Sequence, residues 1–256
     1  MAMTIFNEIL IFLAACIAGF INAIAGGGTL VTFPVLLAIG IPPVIANVTN
    51  TVALVPGTIG GMWAQRKDFH SQYRRLLKLL PFAIMGGIAG GLLILHTSEQ
   101  TFRSIIPYLI LIATILLAAQ IRIKNWVTSR LGNAHNEMHN PVIMISMVFL
   151  AAIYGGYFGA GLGVILMAVL GLVTDDSLTQ LNFLKQALGF AINLSAAIYF
   201  AFSGKVDWGI AFVMMFGFIL GGLMGGKLAG RTKPELLRWI VVSAGLIAAT
   251  LFFIKG

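Results

Sequence analysis

The sequence predicts an all-α polytopic membrane protein of eight to ten helical segments, arranged as two inverted repeats of four to five segments with glycine-broken helices at the centre. Three observations carry that expectation. The 256-residue chain is 59% hydrophobic and 9% charged, where a soluble domain carries about 25% charged residues. Its apolar residues fall into runs near the roughly 20 residues that a helix needs to cross the hydrocarbon. A gapless shift of the chain, the one that carries Gly28 onto Gly163, superposes a set of glycines and polar residues.

Composition excludes the main alternatives first. No soluble fold hides this much apolar surface in one core, because surface grows too fast relative to volume; lipid removes the problem. The net charge of +8 does not indicate nucleic acid, whose partners cluster Lys and Arg on an exposed face. Here the basic residues sit in short loops between apolar runs, as the positive-inside rule describes. The single cysteine, Cys16, lies in an apolar run, forms no intramolecular disulfide and reads as a small buried hydrophobe. Met1 to Glu8 hold no Lys or Arg, so the first segment reads as a retained helix rather than a cleaved signal.

The apolar runs cover residues 7–40, 44–64, 77–95, 102–121, 141–173, 180–203, 208–229 and 236–254. The first and fifth are too long for one span and are interrupted by Gly26-Gly27-Gly28 and by Gly159-Ala160-Gly161-Leu162-Gly163. Each is expected to be a long helix, a break and a short helix that either crosses at a tilt or re-enters. Residues 1–121 then form the first repeat, 122–140 a cytoplasmic linker and 141–256 the second repeat.

Loop charges set the orientation. Arg66, Lys67, Arg74, Arg75 and Lys78 oppose one Asp68; Arg122, Lys124 and Arg130 form a second basic loop, and Arg231, Lys233 and Arg238 outnumber Glu235 in a third. These loops are expected in the cytoplasm. His96 to Thr101 hold Glu99 and no Lys or Arg, and are expected outside, as are both termini.

The repeat is the most informative feature. The shift carries Ala25, Gly26 and Gly28 onto Ala160, Gly161 and Gly163, and Asn47 onto Asn182. It also carries Gly86, Gly87, Gly90 and Gly91 onto Gly221, Gly222, Gly225 and Gly226, and Arg103 onto Arg238. The basic loop at 65–78 meets a partner expected outside, and the outer loop at 96–101 meets a basic one, so the halves should face opposite ways. Such repeats are common in secondary transporters, where two halves rock about a central site near the midplane, and they also occur in channels.

Broken backbone is tolerated at membrane depth only where protein or water satisfies it. The two breaks are therefore the expected substrate site, with backbone donors around Gly26, Gly27, Gly28, Gly161 and Gly163. A helix starting after each break aims its free N–H groups and positive dipole end at the gap, as an anion requires. The following helix in each half carries a polar stripe at spacings of three and four: Asn47 and Asn50, and Asn182, Lys185, Gln186 and Asn193. Thr49 joins them as a candidate. Polar groups at this depth face a cavity or a partner helix. Lys185 faces Asn50 across the repeat, a pairing suited to a small anion, although a lysine near a helix start can also snorkel to headgroups. The glycine pairs at 86–91 and 221–226 read as close-packing scaffold.

Other signals carry less. Asn47-Val48-Thr49 and Asn193-Leu194-Ser195 match a glycosylation pattern inside apolar helices. His135, Glu137 and His139 have a metal-compatible spacing in a polar linker, where chance suffices. Asp175 and Asp176 end a segment. No cofactor, metal or nucleophile–base set is expected, so the chain does not read as an enzyme. Nothing in the sequence sets an oligomeric state.

The stretch Gly19-Phe20-Ile21-Asn22-Ala23-Ile24-Ala25-Gly26-Gly27-Gly28-Thr29-Leu30, followed by Pro34 and then Ala46-Asn47-Val48-Thr49-Asn50, resembles the TauE/SafE, or TSUP, sulfite exporter family. The Gly159–Gly163 run and the Gly221–Gly226 cluster are similar to that family too, and the resemblance covers nearly the whole chain. It implies a cell-membrane transporter or exporter of a small anion, such as sulfite or an organosulfonate, with the bilayer as its surroundings and protons as a possible coupled partner. The second half lacks a pair like Thr49-Asn50 and has Lys185-Gln186 instead, so the two halves need not contact substrate alike. No carboxylate lies deep in a segment, so a coupled proton would travel on a weakly acidic substrate. A passive anion channel of the same architecture is the alternative.

Overall fold

A computed structural model describes residues 5–24, 27–64, 69–131, 141–173, 176–228 and 234–255, and these form ten helices. The first five are α1 (Ile5–Ile24), α2 (Thr29–Ala38), α3 (Pro43–Ala64), α4 (Phe69–His96) and α5 (Glu99–Leu131). The second five are α6 (Pro141–Tyr157), α7 (Leu162–Val173), α8 (Leu178–Ala201), α9 (Trp208–Leu228) and α10 (Pro234–Lys255). Five described helices are long and apolar enough to cross a membrane, and the other five are shorter apolar stretches. Helix α5 continues to Leu131, through the first part of the segment expected as a linker; His135, Glu137 and His139 lie outside the described residues.

Local chemistry starts the helices. Pro43, Pro141 and Pro234 open α3, α6 and α10, where a missing N–H costs nothing and φ is already helical. Ser98 caps α5, its Oγ accepting from Thr101 N at 3.0 Å. Asp207 caps α9, its Oδ1 accepting from Ile210 N at 3.1 Å. Ser177 and Gln180 form a capping box at the start of α8, satisfying two orphan donors reciprocally.

Polar bonds define two ends of the bundle. At one end Glu99 Oε2 accepts from Val44 N at 2.9 Å, Lys205 Nζ donates to Leu95 O at 2.9 Å and Asp207 N donates to Thr49 Oγ1 at 3.0 Å. This end gathers the α2–α3, α4–α5 and α8–α9 turns. At the other, Asp176 pairs with Arg75 and its Oδ1 accepts from Gln72 Nε2 at 3.0 Å, joining the start of α4 to the α7–α8 turn.

The glycine pairs set the helix pairing. A Cβ on Gly217 would strike Phe12 and Ala15, one on Gly221 would strike Cys16 and Phe20, and one on Gly225 would strike Phe20 and Ala23. Helices α1 and α9 therefore run side by side in the same direction. Gly86 sits against Phe149, Ala152 and Ile153, and Gly90 against Ile153, Gly156 and Tyr157, so α4 and α6 run parallel in the same way. The end of α4 meets the start of α9 at the Lys205–Leu95 bond, so those two helices point oppositely. It follows that α1 and α6, which occupy corresponding places in the two halves, also point oppositely.

Both long apolar runs divide as expected. Gly28 lies against Ala18 and Asn22 of α1, so after the break α2 turns back alongside its predecessor. Its 10 residues give about 15 Å of helix, enough to run from the centre to the end that holds Glu99. Helix α7, 12 residues long, runs from its own break to the end that holds Asp176. Around the first break Phe33, Phe102 and Phe158 pack edge to face, the closest pair, Phe33 and Phe158, at 5.2 Å. All three rings are buried.

Candidate functional site

Each break has an identifiable backbone device. Gly27 has φ 102°, Gly159 φ 75° and Gly161 φ 75°, left-handed values that cost little only for glycine. At the first break Leu30 N donates to Gly27 O, while Val31 N and Thr32 N donate to Gly28 O. At the second, Leu162 N donates to Gly159 O, while Val164 N and Ile165 N donate to Gly161 O. The amide of Gly163 finds no backbone partner among the described residues, as expected for a first-turn donor.

Side chains brace both breaks. Asn50 Oδ1 accepts from Thr32 Oγ1 at 2.6 Å, and its Nδ2 donates to Thr29 Oγ1 at 3.3 Å. This ties α3 to the first turn of α2. Asn47 Nδ2 donates to the carbonyl of Tyr157 at 2.9 Å, joining α3 to the end of α6. Tyr154 donates its hydroxyl to Ala160 O at 2.6 Å, holding the second break against its own helix.

Between the breaks lies a cavity of about 50 Å³. From the first half it is lined by Asn22 of α1, Gly27 and Thr29 of the break, and Leu54 and Thr58 of α3. From the second come Gly159, Leu162 and Gly163, then Lys185, Gln186, Gly189, Phe190 and Asn193 of α8. Leu54 and Gly189, and likewise Thr58 and Asn193, are exchanged by the same shift that carries Asn47 onto Asn182. The cavity thus sits where helices of the first five meet helices of the second five. The starts of α2 and α7 both face it, so two helix N-termini bring positive potential to one small space.

The lining is polar in a particular way. Among the described lining residues Lys185 is the one cation and there is no carboxylate. Lys185 Nζ donates to Asn182 Oδ1 at 3.2 Å, which anchors the ammonium from one side. The amides of Asn22, Gln186 and Asn193 make no hydrogen bond among the described residues, although Asn193 is only 8% exposed. Asn193 is buried while Asn22 and Gln186 are half-buried, and a solute or water in the cavity would offer all three amides a partner. Thr58 is already engaged, donating to Val55 O at 2.7 Å.

The residues singled out from sequence therefore divide. Gly27, Gly163, Lys185 and Gln186 line the cavity. Gly28, Asn47, Asn50 and Gly161 build the breaks from behind, Asn182 holds Lys185, and Thr49 ties α3 to the start of α9. Gly26 lies outside the described residues. Asn22, Thr29, Thr58 and Asn193 also line the space. Asn193 was legible as part of the α8 stripe, Asn22 stands beside the glycine break, and Thr58 could have been found as the repeat partner of Asn193.

The chain is similar in sequence to several curated proteins. A probable membrane transporter protein of Haemophilus influenzae is 27% identical over 250 residues, covering 96% of this chain and 95% of its own length. A Sinorhizobium probable membrane transporter protein, ORF9, is 28% identical over 93% of this chain and 89% of its own length. The probable membrane transporter protein YfcA of Escherichia coli K12 is 26% identical, with coverages of 95% and 88%. No solved structure matches. The family profile described as sulfite exporter TauE/SafE matches residues 11–252, so the chain belongs to the sulfite exporter TauE/SafE family of multi-pass membrane transporters.

Proposed function

We propose that this protein is a secondary transporter that carries a small anion, a sulfur oxyanion or organosulfonate, through the central cavity by alternating access. The observation that supports this most is the meeting of both glycine breaks on one cavity with Lys185 and three unbonded amides. Two helix N-termini and one ammonium favour a negative charge. Amide N–H groups supply further donors to oxyanion oxygens, and among the described lining residues no carboxylate stands to repel an anion. The shared shape of the two halves and the opposed directions of α1 and α6 favour an inverted repeat whose halves rock about that cavity. In this reading Asn47, Thr49, Asn50 and Asn182 position the binding groups, Gly27 and Gly163 meet the substrate, and Gly28 and Gly161 hold the turns behind them. The basic loops favour an orientation with the end that carries Arg75 and Asp176 in the cytoplasm and both termini outside. A weakly acidic substrate would carry any coupled proton itself.

The test is uptake of labelled sulfite, sulfate, thiosulfate and a sulfonate into proteoliposomes, with and without a pH gradient. Saturable uptake of one anion, competed by its chemical relatives, supports the reading. Uptake of none of them, by protein shown to be folded, rejects sulfur anions as the substrate class.

A further inference from the structure

The half-length of α2 leaves a gap that no protein segment fills among the described residues. Helix α10 packs along α5, and its seam with α2 is thin by comparison. A groove of about 570 Å³ opens there, lined by Pro34 and Leu37 of α2 and by Ala244, Ile247 and Leu251 of α10. Ile247 is 61% exposed, so the groove faces the surroundings of the bundle. A second space of about 500 Å³ continues it toward the end of the bundle, sharing Leu37, Arg103 and Phe252 with it. Its remaining lining includes Glu99 and Gln100 of α5 and the α2–α3 turn at Gly40. An apolar trough therefore leads to a mouth whose described lining holds one cation, Arg103, and one anion, Glu99.

Those two charges stand four residues apart on α5, a spacing that puts them on one face, yet they do not pair with each other. Arg103 makes no ion pair or hydrogen bond among the described residues. Glu99 uses one carboxylate oxygen on Val44 N and keeps the other for a partner.

We propose that the α2–α10 groove binds one zwitterionic phospholipid of the ethanolamine kind. An acyl chain lies along Pro34, Ala244 and Ile247, the phosphate meets Arg103, and the ammonium meets Glu99. Arginine matches phosphate oxygens with a planar fork of donors. A lipid carrying phosphate alone would satisfy Arg103 and leave Glu99 facing a like charge. The lipid would fill the volume that the short helix leaves open and hold α2, which carries the first break, against α10.

Native mass spectrometry of the purified, detergent-solubilised protein tests this with phosphatidylethanolamine and phosphatidylglycerol titrated separately. The expected result is one phosphatidylethanolamine retained about fivefold more tightly than phosphatidylglycerol, the order of one interfacial charge contact. Arg103→Ala should lose most of that retention. Glu99→Gln keeps an acceptor for Val44 N and should abolish the preference between the two lipids. Ile247→Trp should fill the trough and displace the lipid while the protein still elutes as a folded species. Equal retention of both lipids by the wild type, unchanged retention in Arg103→Ala and Ile247→Trp, or a dimer that buries the groove would each overturn the assignment.

Discussion

Thr32 donates a 2.6 Å hydrogen bond to the Asn50 carbonyl oxygen, and the same amide donates to Thr29. One side chain on α3 thus holds the first turn of α2, the turn that faces the cavity. Replacing Asn50 with Leu leaves two hydroxyls without their partner in a buried place. The expected loss of stability is about 1–2 kcal/mol, read as a lower unfolding midpoint in detergent. Transport should fall further than stability does, because the break itself is displaced.

The packing of α1 on α9 depends on backbone approach at Gly221, where a Cβ would run into the Cys16 carbonyl. Gly221→Val should cost about 1–3 kcal/mol through overpacking, or more if the helices separate. Gly209 supplies the control: a Cβ there meets only Asp207 Oδ1 at 3.4 Å. Gly209→Ala should be neutral or stabilising by up to about 1 kcal/mol. Size-exclusion profiles and unfolding midpoints of the two variants, measured together, check the contrast.

At the other end of the bundle Arg75 pairs with Asp176, and Gln72 donates to the same carboxylate. The Arg75 side chain is 31% exposed, so solvent screens the pair and its coupling should be about 1 kcal/mol or less. A double-mutant cycle on Arg75→Gln and Asp176→Asn measures it. Added salt should reduce the coupling, since partly exposed pairs are screened.

Much of this architecture was legible in the sequence for physical reasons that particular residues show. Glycine triplets inside overlong apolar runs mark breaks because few other residues tolerate φ near that of Gly27 or Gly161. Repeated glycine pairs mark helix contacts because only a missing side chain permits the approach seen at Gly90 and Gly221. The polar stripe on α3 was harder to read. Its spacing put Asn47 and Asn50 on one face, but spacing does not say what that face meets. In the structure it meets Thr29, Thr32 and the Tyr157 carbonyl rather than the open space.

Asn193 offers a cleaner probe of the cavity than any residue bonded elsewhere. Its amide lines the space without a partner, so Asn193→Leu removes a polar group that stabilises nothing else. The unfolding midpoint should hold or rise slightly, while apparent substrate affinity falls by roughly tenfold, the value of one hydrogen bond to a charged group. Initial uptake rates across a range of anion concentrations would show this.

The central claim is that the cavity between the two breaks is where an anion binds, with Lys185 as its cation. It is tested most directly by saturable anion uptake in proteoliposomes containing wild type, Lys185→Met or Lys185→Arg, each reconstituted at equal folded amount. The account predicts that Lys185→Met loses uptake, that Lys185→Arg keeps a measurable part of it, and that both unfold near the wild-type midpoint. Wild-type uptake by folded Lys185→Met would contradict it.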